Sequence, residues 1–136
     1  MKLKPSSKVV LSTDNFRTTV RSRDFTYNID TAVEKGGSGT APTPVEYFLA
    51  AIGGCVAITL RTYANKMNWE LGEITVVVRE ETKLTPDGIV KTIFEEISVQ
   101  EKASEEQLSA LKEIAKSCPV AQMVKNQTNI SRTIEN

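Results

Sequence analysis

The amino-acid sequence predicts an α+β fold in one domain, residues 1–136, and three observations carry that prediction. Short β-rich runs fill the first third of the chain. A long apolar helical pattern follows, and a hairpin signal then separates it from two shorter helices. The 136 residues, 40% hydrophobic and 25% charged, have the size and composition of a single soluble globular domain.

The elements follow in order. "KVVLS" and "FRTTVRS" are β-branched runs, and "FTYNID" alternates so that Phe25, Tyr27 and Ile29 share one face. "EKGGSGTAPTP", residues 34–44, is a loop dense in Gly and Pro, with Gly36, Gly37 and Gly39 as turn formers. Pro44 then suits the first turn of a helix, Thr43 its N-cap, and Glu46 the third position of a capping box. That helix is predicted to run from Pro44 to Met67. Its centre is apolar around almost the whole circumference, which predicts burial on nearly all sides. Gly53 and Gly54 each cost about 1 kcal/mol in a helix interior, so their expected use is the close approach of another backbone beside Cys55.

"EITVVVREE" and "IVKTIFEEISVQE" are strands flanking the turn "TPDG", residues 85–88. Ser104 begins a second helix, Gln107 completes its capping box, and Leu108, Leu111, Ile114 and Ala115 form its expected buried stripe. "SCPVAQMVKN" breaks and restarts the helix at Pro119, and "NISRTIEN" reads as a closing strand. The assembled expectation is a set of highly curved antiparallel sheets around one long central helix. A domain this small has trouble enclosing a helix apolar all round, so a homodimer is expected.

Composition removes several function classes. Seventeen basic and seventeen acidic residues cancel, which gives no support for nucleic-acid binding. The longest uncharged stretch, Tyr47 to Leu60, is short for a bilayer span, and the N-terminus lacks the apolar core of a signal peptide. The expectation is a cytoplasmic protein with no membrane partner and reduced thiols. There is no histidine, which excludes Ser-His-Asp and Cys-His catalysis and His-containing zinc sites. Two cysteines 63 positions apart make no structural metal site, so no cofactor or metal is expected.

Any chemistry therefore falls to thiols, carboxylates, Arg, Lys and Tyr. Cys55 sits within the apolar run "AAIGGCVAITL", where a cysteine is most often an inert small hydrophobe. Cys118 precedes Pro119 and so falls at an N-cap, where free N–H groups and the helix dipole favour thiolate. Cys55 is mid-helix, and a thiolate there needs a separate cation, for which Arg is the suited residue. Arg61 lies about 240° around the same helix and faces elsewhere. Arg17, Arg21 and Arg23 on the second strand are the candidates. Phe48, Tyr47, Tyr63 and Trp69 are core residues or walls of an apolar pocket.

"GGSGTAPTPVEYFLAAIGGCVAI", followed by "KSCPVAQMV", resembles the OsmC/Ohr family, in which a Gly-rich loop leads to a proline, a carboxylate, "L.AA…C" and a later "CPV". The order of elements matches over essentially the full chain. The resemblance implies an intertwined homodimer with sites at the subunit interface, and thiol peroxidase chemistry on organic hydroperoxides in oxidative-stress defence. It implies that Cys55 is the peroxidatic and Cys118 the resolving residue, and that a dithiol, dihydrolipoyl in the best-understood members, restores both. It also implies a catalytic Arg and carboxylate. Arg17 is the preferred match, with Arg21 and Arg23 open. In the hydroperoxide-reductase branch the carboxylate directly follows the proline. Here Val45 stands there and Glu46 comes next, nine residues or about 180° of helix from Cys55. That departure suggests a less characterised OsmC-like branch. It keeps small-ligand binding, or redox sensing with little turnover, beside the peroxidase reading.

Overall fold

The computed structural model describes residues 4–13 and 15–136. The fold is α+β, with strands β1 (Lys8–Leu11), β2 (Thr18–Ser22), β3 (Phe25–Ile29), β4 (Ile74–Thr85) and β5 (Gly88–Val99). Its helices are α1 (Pro44–Met67), α2 (Glu105–Ala115) and α3 (Pro119–Lys125), with a single 3-10 turn at Val33–Lys35. Two antiparallel sheets form, β1-β2-β3 and β4-β5. The chain divides into two compact units, residues 1–48 and 49–136.

In the first unit, β2 pairs with both neighbours, placing Val20 opposite Val9 and Tyr27. Val20 is buried, while the apolar residues of β1 stay about half exposed. The loop after β3 closes over Asp30, whose N–H donates to the Pro42 carbonyl at 3.1 Å. Gly37 is required there because a Cβ would sit 2.2 Å from the Thr31 carbonyl oxygen. The predicted capping box at the start of α1 is present: Thr43 N–H donates to Glu46 Oε1 at 2.9 Å, and Glu46 N–H to Thr43 Oγ1 at 3.2 Å. Tyr47 donates its hydroxyl to the Asn28 carbonyl at 2.7 Å and packs on Tyr27.

The second unit holds the core. Along α1, Ile52, Val56, Leu60 and Ala64 recur every four residues and are buried, and Leu71, Leu111, Ala115 and Cys118 pack against them. The β4-β5 hairpin turns one face onto this cluster through Ile74, Val76, Val78, Ile93, Ile97 and Val99. That alternation is why its other face carries charge. Gly53 lets β4 come close: a Cβ there would meet the Val78 side chain at 3.0 Å. The helix stops at Asn68, whose left-handed φ of 57° ends α-helical bonding, and Trp69 N–H then bonds the Ala64 carbonyl. Ser104 and Gln107 form the second predicted capping box.

Three expectations are corrected. The helix α1 is not buried on nearly all sides within one chain. It buries a single stripe, and opposite it Ile58 is 70% exposed, while Gly54 would place a Cβ with nothing within 4 Å. Leu108 is 48% exposed and stands outside the buried cluster that takes in Leu111 and Ala115. Residues 129–136 form no strand: β structure requires a neighbour for its backbone groups, and among the described residues no strand pairs with them. By length and composition alone α1 is also apolar enough to cross a membrane, with a mean hydropathy of 1.3 over its best window. Core helices pass the same test, and α1 carries a core stripe.

Candidate active site

Cys55 and Cys118 are brought together. Cys55 lies on α1 beside the buried stripe, packs on the core cluster and is partly exposed. Cys118 is fully buried at the N-cap of α3, with Pro119 at the first helical position as the sequence predicts. Its Sγ accepts a hydrogen bond from Ala121 N–H at 3.5 Å. Cys55 is near enough to act on the Cys118 thiol, and both thiols are free.

The electrostatics at Cys118 reverse the sequence expectation. Burial pushes its thiol pKa up, and the hydrogen bond and like charge of Cys55 push the same way. The N–H groups of Ala121 and Val120 act in the opposite direction and do not prevail. An N-cap favours thiolate only while water still reaches the sulfur, and here desolvation of the charged form dominates.

This shift has a sign that stability measurements read. A folded-state pKa above the unfolded value gives stability that is complete below the unfolded pKa and is lost as pH rises through the folded one. Stability is therefore expected to fall as pH rises through about 8.5, the ordinary pKa of an unfolded cysteine, and beyond. Urea midpoints for wild type and Cys118→Ala, compared across that window, check it: the variant should lose this part of the decline. A wild-type decline no steeper than the variant's would overturn the account.

Arg17 and Glu46 belong to the first unit, and the thiols to the second, so no single unit gathers all four. Arg17 lies one residue before β2. Its Nη1 donates to the Thr40 hydroxyl and, at 3.1 Å, to the Thr40 carbonyl, while Nη2 donates to Asn28 Oδ1 at 3.0 Å. Thr40 is itself held by Asp30, a buried carboxylate that accepts from Thr31 N–H at 2.7 Å, Thr40 N–H at 3.2 Å and the Thr40 hydroxyl at 3.0 Å. These donors, Thr31 N–H first, hold the Asp30 carboxyl below its ordinary value. Sequence reasoning missed Asp30 and Thr40. The available signal was an acidic residue ending a strand just before a glycine-rich loop, where a carboxylate is placed to accept loop N–H groups.

The other arginines are used locally. Arg21 Nε donates to the Arg23 carbonyl, and Arg23 adopts a left-handed φ of 54° with its guanidinium over the Phe25 ring. Arg61 donates to the Gly72 carbonyl and so braces the turn after α1. Glu46 spends one carboxylate oxygen on its cap. Tyr63 and Trp69 meet edge to face and pack on the core cluster. Among the described residues no three His, Cys, Asp or Glu side chains cluster as metal ligands.

Residues 37–132 match the family model for OsmC-like protein. Solved structures share the fold. A Psychrobacter arcticus protein proposed to be osmotic stress induced and to act in detoxification superposes with a TM-score of 0.74 at 19% identity, over 90% of this chain and 89% of that one. An organic hydroperoxide resistance protein OsmC from Legionella pneumophila gives 0.69 at 19% identity, over 90% of each chain. An organic hydroperoxide resistance protein from Elizabethkingia anophelis gives 0.70 at 15% identity, over 92% of this chain and 90% of that one. At such identities the likeness is one of fold. No curated protein matches the chain.

Proposed function

The chain belongs to the OsmC-like protein family, and from that premise we propose that it is a thiol-dependent peroxidase acting on organic hydroperoxides. One observation carries the reading: a partly exposed thiol neighbouring a fully buried one, in an apolar setting. Cys55 is the accessible sulfur and acts first. Its thiolate attacks the terminal peroxide oxygen, the O–O bond breaks, the alkoxide leaves as alcohol after taking a proton, and Cys55 becomes a sulfenic acid. Cys118 attacks that sulfur, the S–O bond breaks, and hydroxide departs as water with the proton of the Cys118 thiol. The raised pKa of Cys118 keeps that proton in place until it is needed. A dithiol, dihydrolipoyl in chemistry, then reduces the disulfide and is itself oxidised.

In this reading Arg17 supplies the cation for the Cys55 thiolate and Glu46 orients it. Thr40 and Asp30 hold the guanidinium in place. The protein is a single OsmC-like domain acting as a cytoplasmic homodimer. The exposed face of α1, with Ala51, Gly54 and Ile58 at helical spacing, supports that pairing because its small residues admit a second helix closely. A second reading, a thiol redox sensor with little turnover, draws on Glu46 being tied to its helix cap.

The test is a single-turnover titration. Reduced protein receives one equivalent of cumene hydroperoxide or of hydrogen peroxide, followed by free-thiol counts and intact mass. Both thiols and two hydrogens should be lost, faster with the organic peroxide. Two surviving thiols would overturn the reading. Loss of the thiols without dithiol-driven turnover would select the sensor.

A further inference from the structure

A groove in the second unit is lined by neither thiol. Its larger part is a cavity of about 440 Å³ between β5, α2, α3 and the floor of α1, within the size range of small-molecule sites. Ile52, Ile93, Ile97 and Val124 form its apolar walls. A second cavity of about 350 Å³ continues it past Val99 and Leu108, and the two share Glu95, Ile97 and Lys112. The exposure of Leu108 and Val124 thus belongs to one elongated apolar trough rather than to scattered residues.

The rim is cationic. Lys112 on α2, Lys116 at its C-cap four residues on, and Lys125 at the end of α3 all border the larger cavity. Lys116 pairs with Glu113, whereas Lys112 and Lys125 have no ion-pair partner among the described residues. Among the described residues Glu95 is the only acidic group lining either cavity, and it sits where they join. Burial raises its carboxyl pKa.

We propose that this groove binds an anionic amphiphile, an aliphatic chain lying along Ile93, Ile97 and Leu108 with its anionic head against Lys112 and Lys125. The apolar walls recognise the chain and the two unpaired ammonium groups recognise the head. A neutral or cationic amphiphile of equal length would gain only the first contribution. The proposal is independent of the thiol chemistry.

Titration calorimetry with decanoate, below its micelle-forming concentration, tests it against decanol and decyltrimethylammonium. One decanoate should bind per chain, about tenfold more tightly than either control. The surface double variant K112E/K125E should bring decanoate down to the level of decanol while leaving the melting temperature unchanged. Ala121→Phe should weaken all three ligands by filling the cavity. Cys55→Ser/Cys118→Ser should bind decanoate as wild type does. Equal affinity for the three amphiphiles, or decanoate binding indifferent to the charge reversal, would overturn the proposal. Absence of saturable binding would overturn it too, and sedimentation would then show whether a second copy covers the groove.

Discussion

Cys55→Ser is expected to lower dithiol-driven consumption of cumene hydroperoxide by more than about a hundredfold, the scale of loss when a nucleophile is removed. The argument rests on position. Cys118 is fully buried and its thiol is held protonated, so it cannot substitute as the first sulfur to meet peroxide. Cys118→Ser separates the two roles: the first equivalent of peroxide should still react, but the product should stop at the Cys55 sulfenic acid and pass to sulfinic acid with excess peroxide. Stopped-flow peroxide loss and intact mass read both variants, and circular dichroism checks that each folds. Undiminished turnover in Cys55→Ser would sink the peroxidase reading and leave the fold untouched.

Leu60→Ala is expected to destabilise the protein by about 3 kcal/mol, within the range for a buried leucine truncated where the surroundings relax only in part. Leu60 is fully buried at the middle of the α1 stripe, among Val56, Ala64, Leu71 and Leu111. Urea denaturation should show a lower midpoint at unchanged slope, the signature of lost packing without a change in cooperative unit. Ile58→Ala supplies the contrast. On its exposed face the cost within one chain is below about 1 kcal/mol, and a concentration-dependent loss beyond that would reveal a second copy on α1.

The bounds of α1, both capping boxes, the β4-β5 hairpin and the N-cap of α3 were legible in the sequence. Each is set by local chemistry: a side-chain oxygen reaching an N–H three residues on, a proline suited to a first turn, a period of two against a period of four. The candidate pair of cysteines was legible for the same reason, since Pro119 places Cys118 and the apolar run surrounds Cys55. Tertiary structure alone decided the rest. Protonation at Cys118 depends on how much water packing removes, and no local signal reports that. The anchoring of Arg17 depends on Thr40, 23 residues away, and on the buried Asp30 behind it. The face that α1 buries depends on which strands reach it: a Cβ at Gly53 meets Val78, while one at Gly54, one residue on, meets nothing within 4 Å among the described residues. Residues 129–136 carry β-forming side chains, yet a strand exists only where another backbone offers its donors and acceptors.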